Sequence, residues 1–190
     1  MHYYDVMTEI YVLRHGETAY NKEGRYLGRT DVSAIFDCDK KEIEEFKSHI
    51  ESLTFNLIIS SPLKRCLETA EILIGKKNVM IKDSFVERSV GVYEGLTKEE
   101  AREKYPDIYS KNVTRQFNDA PPGGETILDV EKRVFVALDK IKHHYQDKKI
   151  LIITHGFIAK VINKYFNPSI TDQDFFSFSL KNLELKKYIF

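Results

Sequence analysis

Ile10-Tyr11-Val12-Leu13 runs directly into Arg14-His15-Gly16, and the rest of the chain is interpreted from this stretch. The four apolar residues, three of them with high β propensity, predict a buried strand. Open α/β sheets bind ligands just beyond the carboxyl ends of their strands, and this strand ends in a cation and an imidazole. A neutral His is a nucleophile there, and the planar guanidinium of Arg matches phosphate oxygens. We expect Gly16 to let a bound anion approach the backbone, because a Cβ would block it.

Length and charge limit the class of protein. A chain of 190 residues fits one domain with a substantial core, so we predict a single domain over residues 1–190. Twenty-nine Lys and Arg residues balance twenty-nine Asp and Glu residues. No net field therefore attracts nucleic acid or an anionic membrane, and neither is expected as a partner. No window reaches the ~20 apolar residues of a membrane span.

Cysteine content and the amino terminus indicate the compartment. Cys38 and Cys66 are too few for a disulfide framework and fit a reducing environment. Residues 1–5 contain neither the basic region nor the apolar run of a signal peptide. We therefore expect a cytoplasmic protein.

A second apolar run, Asn56-Leu57-Ile58-Ile59, also ends in residues suited to an anion. Ser61 followed by Pro62 predicts the start of a helix, with a capping hydroxyl and a proline in the first turn. Arg65 would then lie near the helix end that carries free N–H groups and a positive dipole. By itself, Arg65 would be interpreted as a surface residue paired with Glu68.

One carboxylate stands among apolar neighbours, in Phe85-Val86-Glu87. Such surroundings raise the pKa of a carboxyl, which suits a general acid. The alternative is a surface Glu87 that pairs with Arg88.

Between residues 92 and 125 the chain shows no strand pattern. Thr97-Lys98-Glu99-Glu100 is a capping box, and we expect its helix to end at Pro106. A second short helix is predicted over Tyr109 to Phe117, followed by the turn residues Pro121 to Glu125. We predict that residues 92–125 leave the sheet and cover the active site.

The last third of the chain repeats the opening pattern. A long helix from Ile127 precedes the apolar run Lys149 to Thr154, which ends in His155-Gly156 and enters a helix. Residues 175–190 predict a closing edge strand, with a hairpin around Lys181-Asn182 as one option. Strands that alternate with helices predict a mostly parallel sheet covered on both faces.

The chain resembles the histidine phosphatase superfamily, also called phosphoglycerate mutase-like. The resemblance rests on these segments, in the family's order: Arg14-His15-Gly16-Glu17-Thr18 with Asn21, Ser60-Ser61-Pro62-x-x-Arg65, Glu87 through Gly95, Pro122-Gly123-Gly124-Glu125 and His155-Gly156. It implies an α/β fold in which a three-layer αβα sandwich surrounds a mostly parallel sheet. The short chain and its Gly-Leu-Thr, Lys-Tyr-Pro and Pro-Pro-Gly-Gly-Glu stretches look most like small phosphatases of the α-ribazole phosphatase type.

The resemblance also implies roles for five residues. His15 becomes phosphorylated, Arg14, Arg65 and His155 hold the phosphoryl group, and Glu87 donates the proton. The chemistry agrees, because neutral His15 can attack phosphorus in line while three cationic groups stabilise the equatorial oxygens. Glu87 would protonate the leaving alkoxide and then take a proton from the attacking water. We expect neither a metal nor another cofactor, since the cations supply what Mg²⁺ supplies elsewhere.

Thr18, Asn21 and Gly156 are further candidates for phosphate binding. Thr18 and Asn21 could donate to an anion or could stabilise turns, and both interpretations stay open. The expected partner is a small phosphorylated metabolite, and no pattern indicates the oligomeric state.

The sequence departs from the family in three places. Val32-Ser33-Ala34-Ile35-Phe36-Asp37 replaces the usual Leu-Thr-x-x-Gly, so the loop over residues 32–38 cannot be inferred from relatives. Val86 stands where many relatives carry Arg or Asn, and Tyr93 where Trp is common. These departures leave the substrate open and the chemistry unchanged.

The leading hypothesis is a metal-independent phosphomonoesterase. A bisphosphoglycerate-dependent phosphoglycerate mutase is the first alternative. A catalytically inactive module that binds a phosphate ligand is another, although all five residues assigned to catalysis are present. A metallohydrolase using His15, His155 and nearby carboxylates is a further class, and the neighbouring arginines argue against it because Arg repels a cation and cannot ligate one.

Overall fold

Five strands form one sheet in the computed structural model, which describes residues 7–37, 39–75 and 78–190. The strands are β1 (Glu9–Arg14), β2 (Leu57–Ser60), β3 (Met80–Ile81), β4 (Lys149–Thr154) and β5 (Leu185–Ile189). Their order across the sheet is β3-β2-β4-β1-β5. The pairs β1–β4, β2–β4 and β2–β3 are parallel, and β5 runs antiparallel to β1. The predicted mostly parallel sheet is confirmed.

Helices cover both faces of this sheet. They are α1 (Ala19–Lys22), α2 (Lys40–Ser52), α3 (Lys64–Ile74), α4 (Lys98–Lys104), α5 (Pro106–Ser110), α6 (Ile127–His144), α7 (Gly156–Phe166) and α8 (Asp172–Ser177). Successive strand residues point to opposite faces. Ile152 of β4 packs in one apolar cluster with α6 and α7, and Ile153 packs in the other with α2 and α3. This arrangement is the predicted three-layer αβα sandwich.

Helix α3 begins later than the sequence predicts. Its first residue is Lys64, and Leu63 at the N-cap makes no side-chain capping bond. The N–H of Lys64 instead donates to Oδ1 of Asp31 at 2.7 Å. The hydroxyl of Ser61 accepts the N–H of Leu63 at 3.3 Å, one residue ahead of the helix, and also lies 2.7 Å from Nε2 of His155, in the candidate site.

Residues 97–115 form two short helices and one 3-10 turn. The capping box of Thr97 is confirmed, and α4 ends at Lys104 as expected. Pro106 also starts α5, where proline fits the first helical position. The single helix predicted over Tyr109 to Phe117 is wrong. Asn112 takes a left-handed conformation (φ 52°) and separates α5 from the 3-10 turn Val113–Arg115.

The carboxyl-terminal segment differs from the prediction over residues 175–184. Phe175 lies in α8, which Thr171 caps through a capping box with Asp174. The edge strand covers Leu185–Ile189 and pairs with β1, so no hairpin forms around Lys181-Asn182. The capping box at Thr171 therefore determines the local structure here, although the aromatic residues that follow have high β propensity.

The predictions about the amino terminus and about Cys38 cannot be compared with the structure, because residues 1–5 and Cys38 lie outside the described residues. Cys66 is a buried free thiol. Within the described ranges, none of the helices combines the length and apolar character needed to cross a membrane.

Candidate active site

The carboxyl ends of β1, β4 and β2 lie side by side, because these strands are neighbours in the sheet. Arg14 pairs with Thr154 in the parallel register, and the N–H of His15 donates to the carbonyl of Thr154 at 3.0 Å. The ring centroids of His15 and His155 are 5.2 Å apart. Two histidines that are 140 positions apart in the sequence therefore share one site.

His15 is held in one tautomer. Its Nδ1 lies 2.6 Å from the carbonyl oxygen of Gly16, and a carbonyl only accepts hydrogen bonds. Nδ1 therefore carries the proton and Nε2 carries a lone pair. Burial lowers the pKa of His15 to about 3, and the charges of Arg65 and Arg14 act in the same direction. The imidazole is neutral at pH 7, as a nucleophile must be.

The space beside Gly16 is occupied by Phe36. A Cβ on Gly16 would lie 2.8 Å from Cζ of Phe36, so the group that packs closely against Gly16 is an aromatic ring. The prediction that Gly16 admits a bound anion is wrong. Bonds that hold the unusual loop over residues 32–37 there include those from the N–H of Ile35 to the carbonyl of Glu17 and from the N–H of Ala34 to the carboxylate of Glu68.

Arg65 is fully buried, and each nitrogen of its guanidinium has a partner. Nε donates to Nδ1 of His155 at 3.2 Å, Nη1 to the carbonyl of Thr30 at 2.7 Å and Nη2 to that of Gly28 at 2.9 Å. Each Nη carries a second hydrogen that can bind an anion. The predicted alternative, a surface pair with Glu68, does not form.

Arg14 lies beside the first residue of α7. Its Nη1 donates to the carbonyl of Leu180 at 2.8 Å, and its buried Nε has no hydrogen-bond partner among the described residues. A Cβ on Gly156 would lie 3.3 Å from Cζ of Arg14, so this glycine makes room for the guanidinium. A buried N–H donor without a partner is costly, and a phosphate oxygen would satisfy it.

His155 is neutral and makes two internal hydrogen bonds. Because Arg65 can only donate, Nδ1 of His155 accepts and Nε2 carries the proton, 2.7 Å from Oγ of Ser61. Burial, together with the charge of Arg65, lowers the pKa of His155 well below its usual range. The expectation of three cationic groups is therefore wrong: the site has two arginine cations and a neutral imidazole donor.

Glu87 lies at the amino-terminal end of α7. Its Oε1 accepts the N–H of Arg88 at 2.8 Å, and its Oε2 accepts the N–H of Phe157 at 3.4 Å. Burial raises the pKa of Glu87 despite these bonds and the nearby charges of Arg65 and Arg14. A carboxyl with a raised pKa fits the predicted proton donor.

Arg88 is buried and its guanidinium forms no ion pair with the Glu87 carboxylate, so their predicted surface pair is wrong. Its Nε donates to the carbonyl of Glu125 at 2.9 Å, and its Nη1 donates to that of Thr114 at 2.8 Å. Its guanidinium also lies 5.0 Å from the ring centroid of Phe157. Arg88 thus ties the segment over residues 92–125 to the side of the candidate site, a role that its sequence position did not reveal.

Thr18 and Asn21 bond mainly to one another. The N–H of Thr18 donates to Oδ1 of Asn21 at 3.1 Å and the hydroxyl of Thr18 accepts the N–H of Asn21 at 3.2 Å, which together form the capping box of α1. The Thr18 hydroxyl also donates to the same Oδ1 at 3.0 Å. These contacts support the turn-stabilising interpretation for Thr18. Phosphate binding by the amide nitrogen of Asn21, and by Gly156, stays a prediction.

Glu125 braces the backbone of Glu87 from outside the site. Its carboxylate lies 2.9 Å from Nη2 of Arg29 and 3.0 Å from Nε of Arg133, and accepts the N–H of Ser89 at 3.0 Å. Arg133 and Arg29 in turn donate to the carbonyl of Glu87 at 3.3 and 3.4 Å. This network fixes the position of the candidate acid.

A cavity of about 260 Å³ opens beside Glu87. Its wall includes Tyr26, Gly28, Arg88, Phe157 and Thr114. In the described ranges, no group of three or more His, Cys, Asp or Glu side chains is placed to hold a metal ion. The chemistry available is that of a neutral imidazole nucleophile, two arginines, a second neutral imidazole and a carboxyl whose pKa burial raises.

The family model of the histidine phosphatase superfamily (branch 1) matches residues 10–190. The chain belongs to this superfamily. It is 33% identical over 153 residues to an uncharacterized phosphatase, PhoE, of Bacillus subtilis, which covers 79% of this chain and 72% of the relative. It is 30% identical over 165 residues to a metal-independent phosphoserine phosphatase of Arabidopsis thaliana, covering 82% of this chain and 67% of the relative.

The fold resembles that of the α-ribazole phosphatase from Shigella flexneri. The TM-score is 0.78 at 19% identity, over 94% of this chain and 89% of that chain. The predicted likeness to α-ribazole phosphatases is thus confirmed in the fold. Family membership, with phosphatase-named relatives, identifies the protein as a phosphatase of the histidine phosphatase type.

Proposed function

We propose that this phosphatase hydrolyses a small phosphorylated metabolite, without a metal, through a phosphohistidine on His15. The observation that carries the proposal is the state of His15. It is buried and neutral, and its Nδ1 proton is held by Gly16, so Nε2 is the attacking atom.

In the first step, Nε2 of His15 forms a bond to phosphorus while the bond from phosphorus to the substrate oxygen breaks. Arg14 and Arg65 hold the charge of the equatorial oxygens, and the N–H at Nε2 of His155 contributes a neutral donor. Glu87 gives its proton to the leaving oxygen, so the alcohol departs neutral and the carboxyl becomes a carboxylate.

In the second step, water replaces the alcohol. The Glu87 carboxylate takes one proton from the water, whose oxygen attacks phosphorus as the bond to Nε2 of His15 breaks. Inorganic phosphate leaves, His15 returns to its neutral form and Glu87 is protonated again. The charge of the two arginines provides the stabilisation that a metal ion provides in other phosphoryl-transfer enzymes.

The proposal also includes the predictions on domain organisation, location and partners. These are a single domain over residues 1–190 with residues 92–125 covering the site, a cytoplasmic location, and the absence of nucleic-acid and membrane partners. The tether from Arg88 to Thr114 supports the covering role of residues 92–125.

The test is release of phosphate from a panel of phosphorylated metabolites by the purified protein, with and without excess chelator. Full activity in chelator is expected, and loss of activity that added metal restores would contradict the proposal. Bisphosphoglycerate-dependent isomerisation that is faster than phosphate release would indicate a mutase. No turnover of any ester would indicate a binding module.

A further inference from the structure

The peptide group between His15 and Gly16 is held at both of its polar atoms by side chains. The carbonyl of His15 accepts a hydrogen bond from Nδ2 of Asn182 at 2.9 Å. The N–H of Gly16 donates to Oγ1 of Thr69 at 2.9 Å. Thr69 lies in α3 and Asn182 precedes β5, so two elements that are distant in the sequence bind one peptide group. Thr69 and Asn182 together are called the peptide clamp below.

Thr69 is oriented to accept a hydrogen bond. It is fully buried, and its hydroxyl donates to the carbonyl of Arg65 at 2.6 Å. That bond uses the one hydrogen of the hydroxyl, so a lone pair remains for the N–H of Gly16. A buried N–H that loses its acceptor is costly, so the contact fixes Gly16 firmly. Thr69 thus connects the main chain beside His15 to the main chain of Arg65.

Asn182 lies in a turn that also binds Arg14. The N–H of Leu183 donates to the carbonyl of Arg14 at 3.1 Å, and the carbonyl of Leu180 accepts from Nη1 of Arg14 at 2.8 Å. Leu183 has a φ of 57°, in the left-handed region that is costly for a residue with a Cβ. The turn over residues 180–183 therefore keeps a strained backbone while it binds Arg14 and His15.

The orientation of the clamped peptide group affects the carbonyl that follows it. The carbonyl of Gly16 accepts Nδ1–H of His15 at 2.6 Å, a bond that depends on the torsion angles of Gly16. Glycine has wide freedom in φ and ψ, so its own preferences do not fix these angles. When Nε2 bonds to phosphorus, positive charge on the ring makes Nδ1–H a stronger donor, and a carbonyl already in place stabilises that charge.

We propose that Thr69 and Asn182 are positioning residues for the nucleophile. By fixing the peptide group between His15 and Gly16, they hold the Gly16 carbonyl on Nδ1 and direct Nε2 toward phosphorus. The inference rests on the proposed function, because it takes His15 as the attacking residue. Arg14 and Arg65 bind the anion, so the clamp should affect the rate of attack and leave the binding of phosphate largely unchanged.

The first measurement is the rate of attack by His15. In a Glu87→Gln background the water step lacks its base, so the first 4-nitrophenol released from 4-nitrophenyl phosphate reports that attack. Thr69→Val and Asn182→Leu remove hydrogen-bonding groups with little change in size, and each should slow this release by about 10–100-fold. The inhibition constant for inorganic phosphate should change little. Thr69→Ser keeps the hydroxyl and should retain most of the rate.

The two substitutions should also be coupled. Because both act on the same peptide group, the double variant should be slowed by less than the product of the two single effects. Independent effects that multiply would contradict a shared clamp.

The second measurement is the tautomer of His15 in the free protein, which needs no substrate. The ¹⁵N shifts of the unaltered protein should show the proton on Nδ1. In Thr69→Val and in Asn182→Leu the Gly16 carbonyl is less well placed, so both tautomers should be populated. Partial unfolding does not imitate this result, because the shifts are read from the folded fraction.

Two control variants match the clamp in chemistry but lie away from the site. The hydroxyl of Thr8, a buried residue, donates to the carbonyl of Tyr145 at 2.8 Å, at the opposite end of β1 from Arg14. Nδ2 of Asn167 donates to the carbonyl of Asn163 at 2.9 Å, at the carboxyl-terminal end of α7. Thr8→Val and Asn167→Leu should leave both the rate of attack and the His15 tautomer unchanged.

The results that would contradict the inference differ from those that would contradict the proposed function. An unchanged rate and tautomer in Thr69→Val and Asn182→Leu, or equal slowing in the two controls, would overturn the clamp and leave the phosphatase in place. If Thr69→Val does not fold, Asn182→Leu still decides, because its side chain is half-buried. Absence of both nitrophenol release and phosphorylated His15 in Glu87→Gln itself would overturn the proposed function, and the tautomer measurement would still test the clamp.

Discussion

Arg65 donates a hydrogen bond from Nε to Nδ1 of His155 at 3.2 Å, and both side chains are fully buried. Because the guanidinium has no lone pair to offer, this bond leaves the proton of the neutral imidazole on Nε2. The same contact places a positive charge against the ring and opposes its protonation. In the proposed mechanism, His155 is therefore a neutral donor and Arg65 supplies the charge.

This relationship predicts the ionisation of His155. In the free protein, ¹⁵N shifts should show a neutral ring with the proton on Nε2, and the ring should stay neutral as the pH falls through the usual range of histidine titration. In Arg65→Gln the opposing charge is gone, so the pKa of His155 should rise. Titration of His155 near its usual value of 6.5 in the unaltered protein would contradict the assignment.

The pKa shifts of His15 and Glu87 predict a pH profile for kcat/KM. The reaction needs His15 unprotonated and Glu87 protonated. Since the pKa of His15 is lowered to about 3, its protonation should not limit the rate above about pH 4. Since the pKa of Glu87 is raised, activity should fall as the pH rises through that value. Glu87→Gln should lose this alkaline limb, and an alkaline limb unchanged in that variant would exclude Glu87 as its source.

Stability should depend on the same buried histidines. Between pH 6.5 and about 3 the unfolded chain binds a proton at His15 that the folded chain does not, so stability is lost as the pH falls through this range. The slope from one such group approaches about 1.4 kcal/mol per pH unit. Urea denaturation at pH 7 and pH 5 should show a smaller loss for His15→Asn than for the unaltered protein. An equal loss would show that His15 is not buried neutral.

Gly16 and Phe36 should behave as a coupled pair. Gly16→Ala introduces a Cβ that would lie 2.8 Å from the Phe36 ring, so it should destabilise the protein by about 1–3 kcal/mol. In a Phe36→Ala background the same change should cost much less, which a double-mutant cycle of unfolding free energies measures. If Gly16 instead made room for an anion, Gly16→Ala would weaken inhibition by phosphate equally in both backgrounds.

Much of the sheet and its site was predictable from the sequence, because both depend on local patterns. The apolar runs that end in Arg14-His15 and His155 mark β1 and β4 directly, and neighbouring parallel strands bring their carboxyl ends together. The capping boxes at Thr97 and Thr126 also identify helix starts, as α4 and α6 show. The order of the motifs shared with the family then assigned Glu87 to the same site as His15 and His155.

What could not be predicted depends on contacts between distant segments. Ser61 bonds to the N–H of Leu63 ahead of the helix and to His155 in the site, whereas Asp31 caps α3 from a different loop. The prediction that His155 is cationic was wrong because its pKa depends on burial, and that burial is created by segments distant in the sequence. The strand signal over Phe175 failed for a local reason, since the capping box of Thr171 outweighed the β propensity of the aromatic residues.

The sharpest test of the mechanism combines Glu87 with the leaving group. An alkyl phosphate leaves as a strong base and needs the proton of Glu87, so Glu87→Gln should slow its cleavage by about 10²–10⁴-fold. An aryl phosphate such as 4-nitrophenyl phosphate leaves readily unaided, so its first step should suffer much less. Attack of water on the phosphohistidine still lacks its base.

With the aryl ester, Glu87→Gln should therefore release a burst of phenol and accumulate an acid-labile phosphoenzyme. Mass spectrometry should find the added phosphoryl group on His15, and His15→Ala in the same assay should show neither burst nor label while phosphate can still bind at Arg14 and Arg65. Equal slowing for both leaving groups with no trapped intermediate would remove Glu87 from the acid–base role. A label on His155 would reverse the roles of the two histidines.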